Sequence, residues 1–409
     1  MTAGIDPAPV AAVVINPAKP AATRPVRHVL SHALHQAGYR TVWLETSAQE
    51  TGAMQARMAV ASSARLVVAA GGDGTVRSVA AGVAGTGVDM AIMPLGTANL
   101  AARNLGLPLR RYAELAHVAA TGRAFPTDLM WVRSEPAGHT GPLPAANLEA
   151  PRDFGTASDA GDADIAEPPQ GWARPTLGGE HSCLVVTGMG FDAGLVASTR
   201  PILKERLSWG AYGLAALENL GHPRMDLVLG VQDATLAAVA QVSDVSAHAA
   251  SGTAVPDADG DGSGPPGAAR EGIDRTIAVV PESPPASSWP VRTERMTART
   301  LLIANGGRLP AGITLLPQAR LDDGLVDVAA IDTLHGLWGW ASLARQVLPP
   351  RPASYSAGRA AQVLLRRGRE VTVRLDRATA LEIDGDLVAP TRGIRVRVQA
   401  GALRVRRPA

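Results

Sequence analysis

One cysteine, Cys183, stands among 409 residues. A single thiol excludes an internal disulfide framework and any Cys-rich zinc or iron–sulfur site, and it fits a reducing compartment. Aromatic residues are scarce at 3%, which leaves few platforms on which unpaired bases could stack. An excess of either charge is missing too. Lys and Arg number 39 against 37 Asp and Glu, for a formal net charge of +2, so broad electrostatic capture of nucleic acid is not expected. No uninterrupted apolar run reaches the roughly 18 residues of a membrane span, and Met1 to Val14 carries no basic stretch ahead of its Ala/Val/Pro segment. These absences imply a cytoplasmic chain whose contact with a membrane, if any, is peripheral and which has no nucleic-acid partner.

What is present is apolar residues, 46% of the chain, in a length that exceeds one comfortable core and makes two domains the default. Val10 to Ile15 reads as a strand ending at Asn16-Pro17-Ala18-Lys19. Arg27 to Ala37 carries Val29, Leu30, Ala33, Leu34 and Ala37 at helical spacing, with Gly38 as C-cap. Thr41 to Leu44 predicts a second strand, Thr51 to Ala61 a helix, and Arg65 to Ala70 a third strand. Val76, Val79, Ala80 and Val83 mark a helix, Met90 to Leu95 a further strand, and another helix begins near Asn99. Strands alternating with helices at this spacing predict a mostly parallel sheet covered on both faces.

From about Thr127 the pattern changes. Residues 134–178 and 246–272 are rich in Pro, Gly, Ala and acids without a periodic apolar face, and they read as disordered surface insertions. Elsewhere the period is two. Val371, Val373 and Leu375 alternate with Thr372, Arg374 and Asp376; Ile394, Val396 and Val398 with Arg395, Arg397 and Gln399; Leu403 and Val405 with Arg404 and Arg406. Such patterning buries one face and wets the other. The expected domains are 1–127, of α/β type, and 128–409, β-rich, with helices near Ser208 to Leu220 and Leu334 to Leu348.

Two strand ends meet Gly-rich turns, Gly71-Gly72-Asp73-Gly74-Thr75 and Gly96-Thr97-Ala98-Asn99. A strand that ends so and restarts as a helix offers backbone N–H groups suited to phosphate. Asp73 repels phosphate, so its use is to hold Mg2+, to orient water or to order the turn; a plain helix cap is the alternative. Thr97 and Asn99 supply hydrogen-bonding groups at the neighbouring strand end, and Arg103 follows on the same helical face, either reaching phosphate or solvated. The glycines follow the third strand rather than the first, which argues against a dinucleotide fingerprint, and no G-x-x-x-x-G-K-[ST] element is present.

In order along the chain stand Asn16-Pro17, GGDGTVRSVAAG at 71–82, PLGTANLAARNLGLP at 94–108, TGMGFDAGLVAST at 187–199, ANGG at 304–307, DDGLVDV at 322–328 and IDGD at 383–386. This series resembles the diacylglycerol kinase catalytic-domain superfamily, in its bacterial lipid kinase branch, related to sphingosine and ceramide kinases. The resemblance implies an N-terminal domain like that of phosphofructokinases and NAD kinases, a C-terminal β-sandwich-like domain, and ATP with Mg2+ in the cleft between them. It implies nucleotide binding by Asn16, Gly71, Gly72, Asp73, Gly74, Thr75, Gly96, Thr97, Asn99 and Asp386, with Asp73 also serving Mg2+. Asp384 falls on the late acidic element and is implied as the base toward a lipid hydroxyl, although Asp384-Gly385 also reads as a hairpin turn. Asp323 and Asp327 are implied as ligands of a structural Mg2+, against a plain turn before a strand. Position 386 carries Asp where the family has Glu, and Leu100 stands where many relatives have an acid.

The resulting expectation is an ATP- and Mg2+-dependent lipid kinase acting on a lipid alcohol at the inner membrane surface. The alternatives are an NAD kinase-like enzyme and a catalytically weak lipid-binding regulatory protein. Asp192 and Asn305 are read either as support for the site or as packing, and Arg395, Arg397, Arg404, Arg406 and Arg407 either as a wet face or as contacts to anionic headgroups. A homo-oligomer is compatible with the sequence, which does not fix its state.

Overall fold

The computed structural model describes residues 8–135, 173–190, 224–233, 291–308, 316–333 and 361–408. The helices expected near 208–220 and 334–348, the stretch 246–272, Asp192, and most of the stretch 134–178 lie outside the described residues.

The first half alternates as its periodicity predicts: β1 (Val10–Ile15), α1 (Arg24–Gln36), β2 (Arg40–Glu45), α2 (Ala53–Ala61), β3 (Leu66–Gly71), α3 (Asp73–Val83), β4 (Asp89–Pro94), α4 (Leu100–Asn104) and α5 (Tyr112–Thr121). The four strands lie parallel in the order β2-β1-β3-β4. β1, β3 and β4 are apolar almost throughout because helices cover both faces. α1 begins with a Pro in its first turn, buries Val26, Leu30 and Leu34 at a four-residue repeat, and ends ahead of Gly38, whose φ of +83° turns the chain away. α3 differs: every residue from Thr75 to Val83 is buried, so this helix has no wet face.

The second half is antiparallel. β5 (Arg123–Ser134), β6 (His181–Cys183), β7 (Val186–Gly190), β8 (Met225–Asp233), β9 (Val291–Ala298), β10 (Thr300–Ala304), β11 (Val326–Thr333), β12 (Ala361–Ile383) and β13 (Asp386–Arg407) follow in chain order. The order β11-β10-β7-β12-β13 forms the main path, with β8 and β9 paired beside β12 and with β5 and β6 beside β13. Apolar side chains of Met130, Leu227, Leu229, Ile303, Val328, Val371, Val373 and Val396 meet in a core of their own. The protein is thus an α/β parallel-sheet domain followed by a β-sandwich domain.

Two strands join these halves. β5 runs through the boundary expected at 127/128, and β13 continues past a register shift between Gln399 and Leu403 to pair with β4, parallel, at Arg404 and Val405. The last strand therefore completes the first sheet. The expected wet face of this strand is corrected at Arg406, which is buried and donates to Ala119 O and Ala120 O at the C-terminal end of α5, to the Tyr39 hydroxyl and to Asp89. A cation there meets carbonyls that the helix leaves unpaired. The neighbouring arginines are also matched inside the fold: Arg395 to Glu370, Arg397 to Glu180, Arg404 to Asp89 and Arg407 to the Thr127 hydroxyl.

Candidate active site

The two Gly-rich turns touch each other. A Cβ placed on Gly96 would lie 2.7 Å from the Gly72 Cα, which glycine at position 96 avoids, whereas a Cβ on Gly72 would sit at an ordinary 3.6 Å from the Gly96 Cα. Gly71 is tight for another reason, since a Cβ there would meet the Thr75 side chain at 2.5 Å. Asp73 opens α3, and its carboxylate bridges to the second turn: Oδ2 accepts the Asn99 N–H at 2.9 Å and Oδ1 the Leu100 N–H at 2.6 Å. The Asn99 side chain closes on Gly96, donating to its carbonyl and accepting its N–H, while Asn99 itself sits in the left-handed region at φ +48°. Asp73 and Asn99 thus weld the turns together. Burial and the nearby Asp384 carboxylate push the Asp73 pKa up to about 7, against the opposing pull of the Leu100 and Asn99 N–H groups.

From the sandwich side comes the β12–β13 turn. Asp384 at φ +48° and Gly385 at φ +88° form its centre, consistent with the type I′ geometry that suits a tight hairpin. The turn reading holds, and the Asp384 carboxylate turns inward, 3% exposed, onto the segment between β6 and β7. Oδ2 accepts from Leu184 N–H at 2.8 Å; Oδ1 accepts from Val185 and Val186 N–H at 2.9 and 3.1 Å and lies 3.6 Å from the Cys183 Sγ. Burial raises the Asp384 pKa more than these N–H groups and the Arg77 guanidinium lower it. Behind this segment, Asn305 donates from Nδ2 to Asp128 O and Leu184 O, so its place is to position the strands rather than to line the cleft.

One cleft of about 810 Å³ is lined by Asn16, Gly72, Asp73, Gly74, Thr75, Gly96, Thr97, Asp384 and Asp386. Ten nucleotide-binding positions were expected, and of these Gly71 and Asn99 stand behind the cleft wall, shaping the turns. Asp323 and Asp327 are elsewhere. Both carboxylates accept from Arg367, Asp327 Oδ2 at 3.3 Å from its Nε, so one guanidinium bridges this pair. Among the described residues no group of three or more His, Cys, Asp or Glu side chains gathers in a metal-binding arrangement. Arg103 turns to the Ala98 carbonyl at 2.7 Å rather than into the cleft.

Two cleft cations escape a reading by motif. Lys19 stands over the first turn, its Nζ 3.5 Å from where a Gly72 Cβ would be, and nothing in Asn16-Pro17-Ala18-Lys19 marks it apart from a surface lysine. Arg77 is buried in α3, where Asp386 and Asp384 raise its pKa against the cost of burial. Its signal was present: the run from Val76 to Val83 leaves no wet face on which an arginine could lie. The cleft so combines helix-start amides, a glycine floor, Asp73 and the Lys19 ammonium on one side with the carboxylates of Asp384 and Asp386 on the other. Amides and an ammonium over a glycine floor suit a phosphate chain.

Comparison with known proteins gives the same division. The model of the diacylglycerol kinase catalytic domain matches residues 10–132, and that of the YegS C-terminal NAD kinase beta sandwich-like domain matches residues 290–407. A Pseudomonas aeruginosa protein named "Probable lipid kinase YegS-like" is 26% identical over 355 residues, covering 86% of this chain and 79% of the relative. The diacylglycerol kinase of Bacillus subtilis (strain 168) is 33% identical over 102 residues, which are 24% of this chain and 34% of that one. In three dimensions, a diacylglycerol kinase crystal structure from Bacillus anthracis (strain Sterne) superposes with a TM-score of 0.58 at 15% identity, covering 98% of this chain and 97% of that one, a likeness of fold. With the two domains of that architecture in order along one chain, this protein belongs to the diacylglycerol kinase catalytic-domain, YegS-like lipid kinase superfamily.

Proposed function

We propose that the chain transfers the γ-phosphoryl group of ATP to the hydroxyl of diacylglycerol or a similar long-chain lipid alcohol, with Mg2+ as cofactor. The observation that carries this reading is the convergence of Gly72, Gly96 and the Asp384 turn, remote in sequence, on one cleft. Magnesium-bound ATP supplies the phosphoryl group and the charge that screens its oxygens. The residues of this chain do the rest. The first-turn N–H groups of α3 have no acceptor within the helix and face phosphate, and Lys19 adds a point charge beside them. Asp73, fixed by two N–H bonds, is the hard oxygen donor nearest the turns. Asp384 accepts the proton of the lipid hydroxyl; its raised pKa suits a carboxylate that takes a proton late, as charge develops on the transferred group. The names of the relatives, lipid kinase and diacylglycerol kinase, favour the same acceptor class. Among the described residues no helix is long and apolar enough to cross a membrane; the reading places the chain at the cytoplasmic surface of a bilayer, where its substrate lies.

The test is incubation of the purified protein with γ-labelled ATP, Mg2+ and vesicles containing diacylglycerol, monoacylglycerol, a sphingoid base or phosphatidylglycerol, with NAD in a parallel reaction. A labelled lipid phosphate is expected. Asp73→Asn and Asp384→Asn should each lower turnover by about 10²-fold or more while unfolding stays cooperative. Label on NAD alone would place the activity in the NAD kinase class, and bound ATP with no labelled product would favour a regulatory binding protein.

A further inference from the structure

Arg77 lies one helical turn beyond Asp73 on α3, with its side chain 7% exposed. From there it reaches the other half of the molecule. Its Nη1 donates to Ile383 O at 2.9 Å and to Asp386 Oδ2 at 2.8 Å, the two residues that flank the Asp384-Gly385 turn. Its backbone carbonyl accepts the Ser182 hydroxyl at 2.9 Å, on the strand that leads into Leu184, Val185 and Val186. One residue of the nucleotide-side helix therefore grips both the turn that carries Asp384 and the segment that receives its carboxylate. Asp386 completes the grip. Its Oδ2 would lie 2.9 Å from a Cβ on Gly74, so it approaches the α3 backbone closely only because position 74 is glycine. Three carboxylates, Asp73, Asp384 and Asp386, crowd this corner, and Arg77 is the fixed cation set among them.

We infer that Arg77 and Asp386 are a pair of positioning residues, a clamp that fixes the Asp384 turn against the nucleotide turn, and that Asp386 serves this clamp rather than binding nucleotide. The consequence for turnover rests on the reading given under Proposed function; the clamp itself does not. Its natural reporter is Cys183, the sole cysteine of the chain, fully buried beside the Asp384 carboxylate.

The experiment is labelling of Cys183 by a thiol-reactive disulfide under native conditions, in the full chain and in Arg77→Lys, Arg77→Met, Asp386→Asn and the double variant Arg77→Met/Asp386→Asn. Loss of the charge-assisted bond should speed labelling by about tenfold or more in Arg77→Met, which also loses the bond to Ile383 O, by less in Asp386→Asn and in Arg77→Lys, and no further in the double variant than in Arg77→Met. In the lipid assay the single variants should lose kcat while KM for ATP stays within about threefold. Unchanged labelling, additive effects in the double variant, or a raised KM for ATP with kcat intact would each overturn the clamp. Should Arg77→Met fail to fold, Asp386→Asn decides the matter, since that side chain is 45% exposed and its replacement leaves the core untouched. If the wild-type chain phosphorylates no lipid, the proposed function fails, while Cys183 labelling still tests the clamp.

Discussion

Gly96→Ala adds a single methyl group, and the structure says where it goes. The new Cβ would stand 2.7 Å from the Gly72 Cα, 3.0 Å from Asn99 Oδ1 and 3.8 Å from Asp73 N. Carbon atoms rest at about 3.5–4.0 Å, so the first contact is short by about 1 Å. Gly72 is the N-cap of α3, which is buried on all sides from Thr75 onward, so the first turn cannot retreat. The second turn must move instead. Moving it stretches the two hydrogen bonds between Asn99 and Gly96 and the two that Asp73 accepts from Asn99 and Leu100. Overpacking costs about 1–3 kcal/mol, and a weakened hydrogen bond adds about 1 kcal/mol, for a total of about 2–4 kcal/mol. A displacement of about 1 Å in a phosphate-binding turn lowers turnover by about 10²-fold. Urea unfolding of the protein without nucleotide measures the first quantity, and the lipid assay measures the second. Gly87→Ala is the control: its φ is +74° with nothing within 4 Å of the added Cβ, so it should cost about 1 kcal/mol through backbone strain and leave turnover unchanged. A Gly96→Ala protein as stable and as active as wild type would refute the argument that the two turns are in contact.

Asp73 gives a pH signature: in EDTA without nucleotide its pKa is about 7 in the folded chain against 3.8 unfolded, so its stabilising contribution is complete below pH 3.8 and lost as pH rises through 7. The difference in unfolding free energy between wild type and Asp73→Asn should change by at most about 4 kcal/mol between pH 4 and 8, falling toward high pH, and urea titrations that show no such change would contradict it. Asp128→Ala leaves the N–H groups of buried Gly324 and exposed Gly401, each 2.7 Å from its carboxylate, without their acceptor; unfolding should be easier by about 1–3 kcal/mol, with Asp128→Asn recovering part of the loss. Arg406→Met removes the donors to Ala119, Ala120, Tyr39 and Asp89 and should cost about 3–5 kcal/mol while KM for ATP is unmoved, because that arginine is remote from the cleft.

Much of this arrangement is legible in the residues, and the reasons are local. Apolar runs that stop on glycine place the ends of β3 and β4, and strict alternation over Val371 to Leu375 and Ile394 to Val398 places β12 and β13. The Asn99 and Asp384 turns announce themselves by residue types that tolerate positive φ. What stays hidden is long-range. Nothing near Leu403 indicates that one strand will leave the sandwich and pair with β4, so Arg406 reads as a wet-face residue although its partners lie in α5, β4 and Tyr39. Between α5 and β5 stands only Gly122, so the apolar positions Leu115, Ala116, Val118 and Ala119 are followed by strand with no loop to separate the two elements. Asp323 and Asp327 share Arg367, forty residues beyond Asp327, a partner that no local pattern announces.

The position of Asp384 shows how a turn comes to carry chemistry. A hairpin between two long strands needs left-handed backbone at its centre, and Asp-Gly supplies that at little cost. The same conformation directs the carboxylate back toward the strands, where the N–H groups of Leu184, Val185 and Val186 would otherwise be buried without acceptors. Satisfying them fixes the carboxylate to within hydrogen-bond tolerance and removes it from bulk water, which is what raises its pKa. The opposite wall is built by the same logic: Asp73 satisfies the first N–H groups of α4 and is raised by the burial this entails. Each acid is thus held by the backbone of an element other than its own, so the separation of the two is set by the packing of α3 against the β12–β13 hairpin. That packing passes through Arg77, and a change there alters the geometry of both acids without touching either.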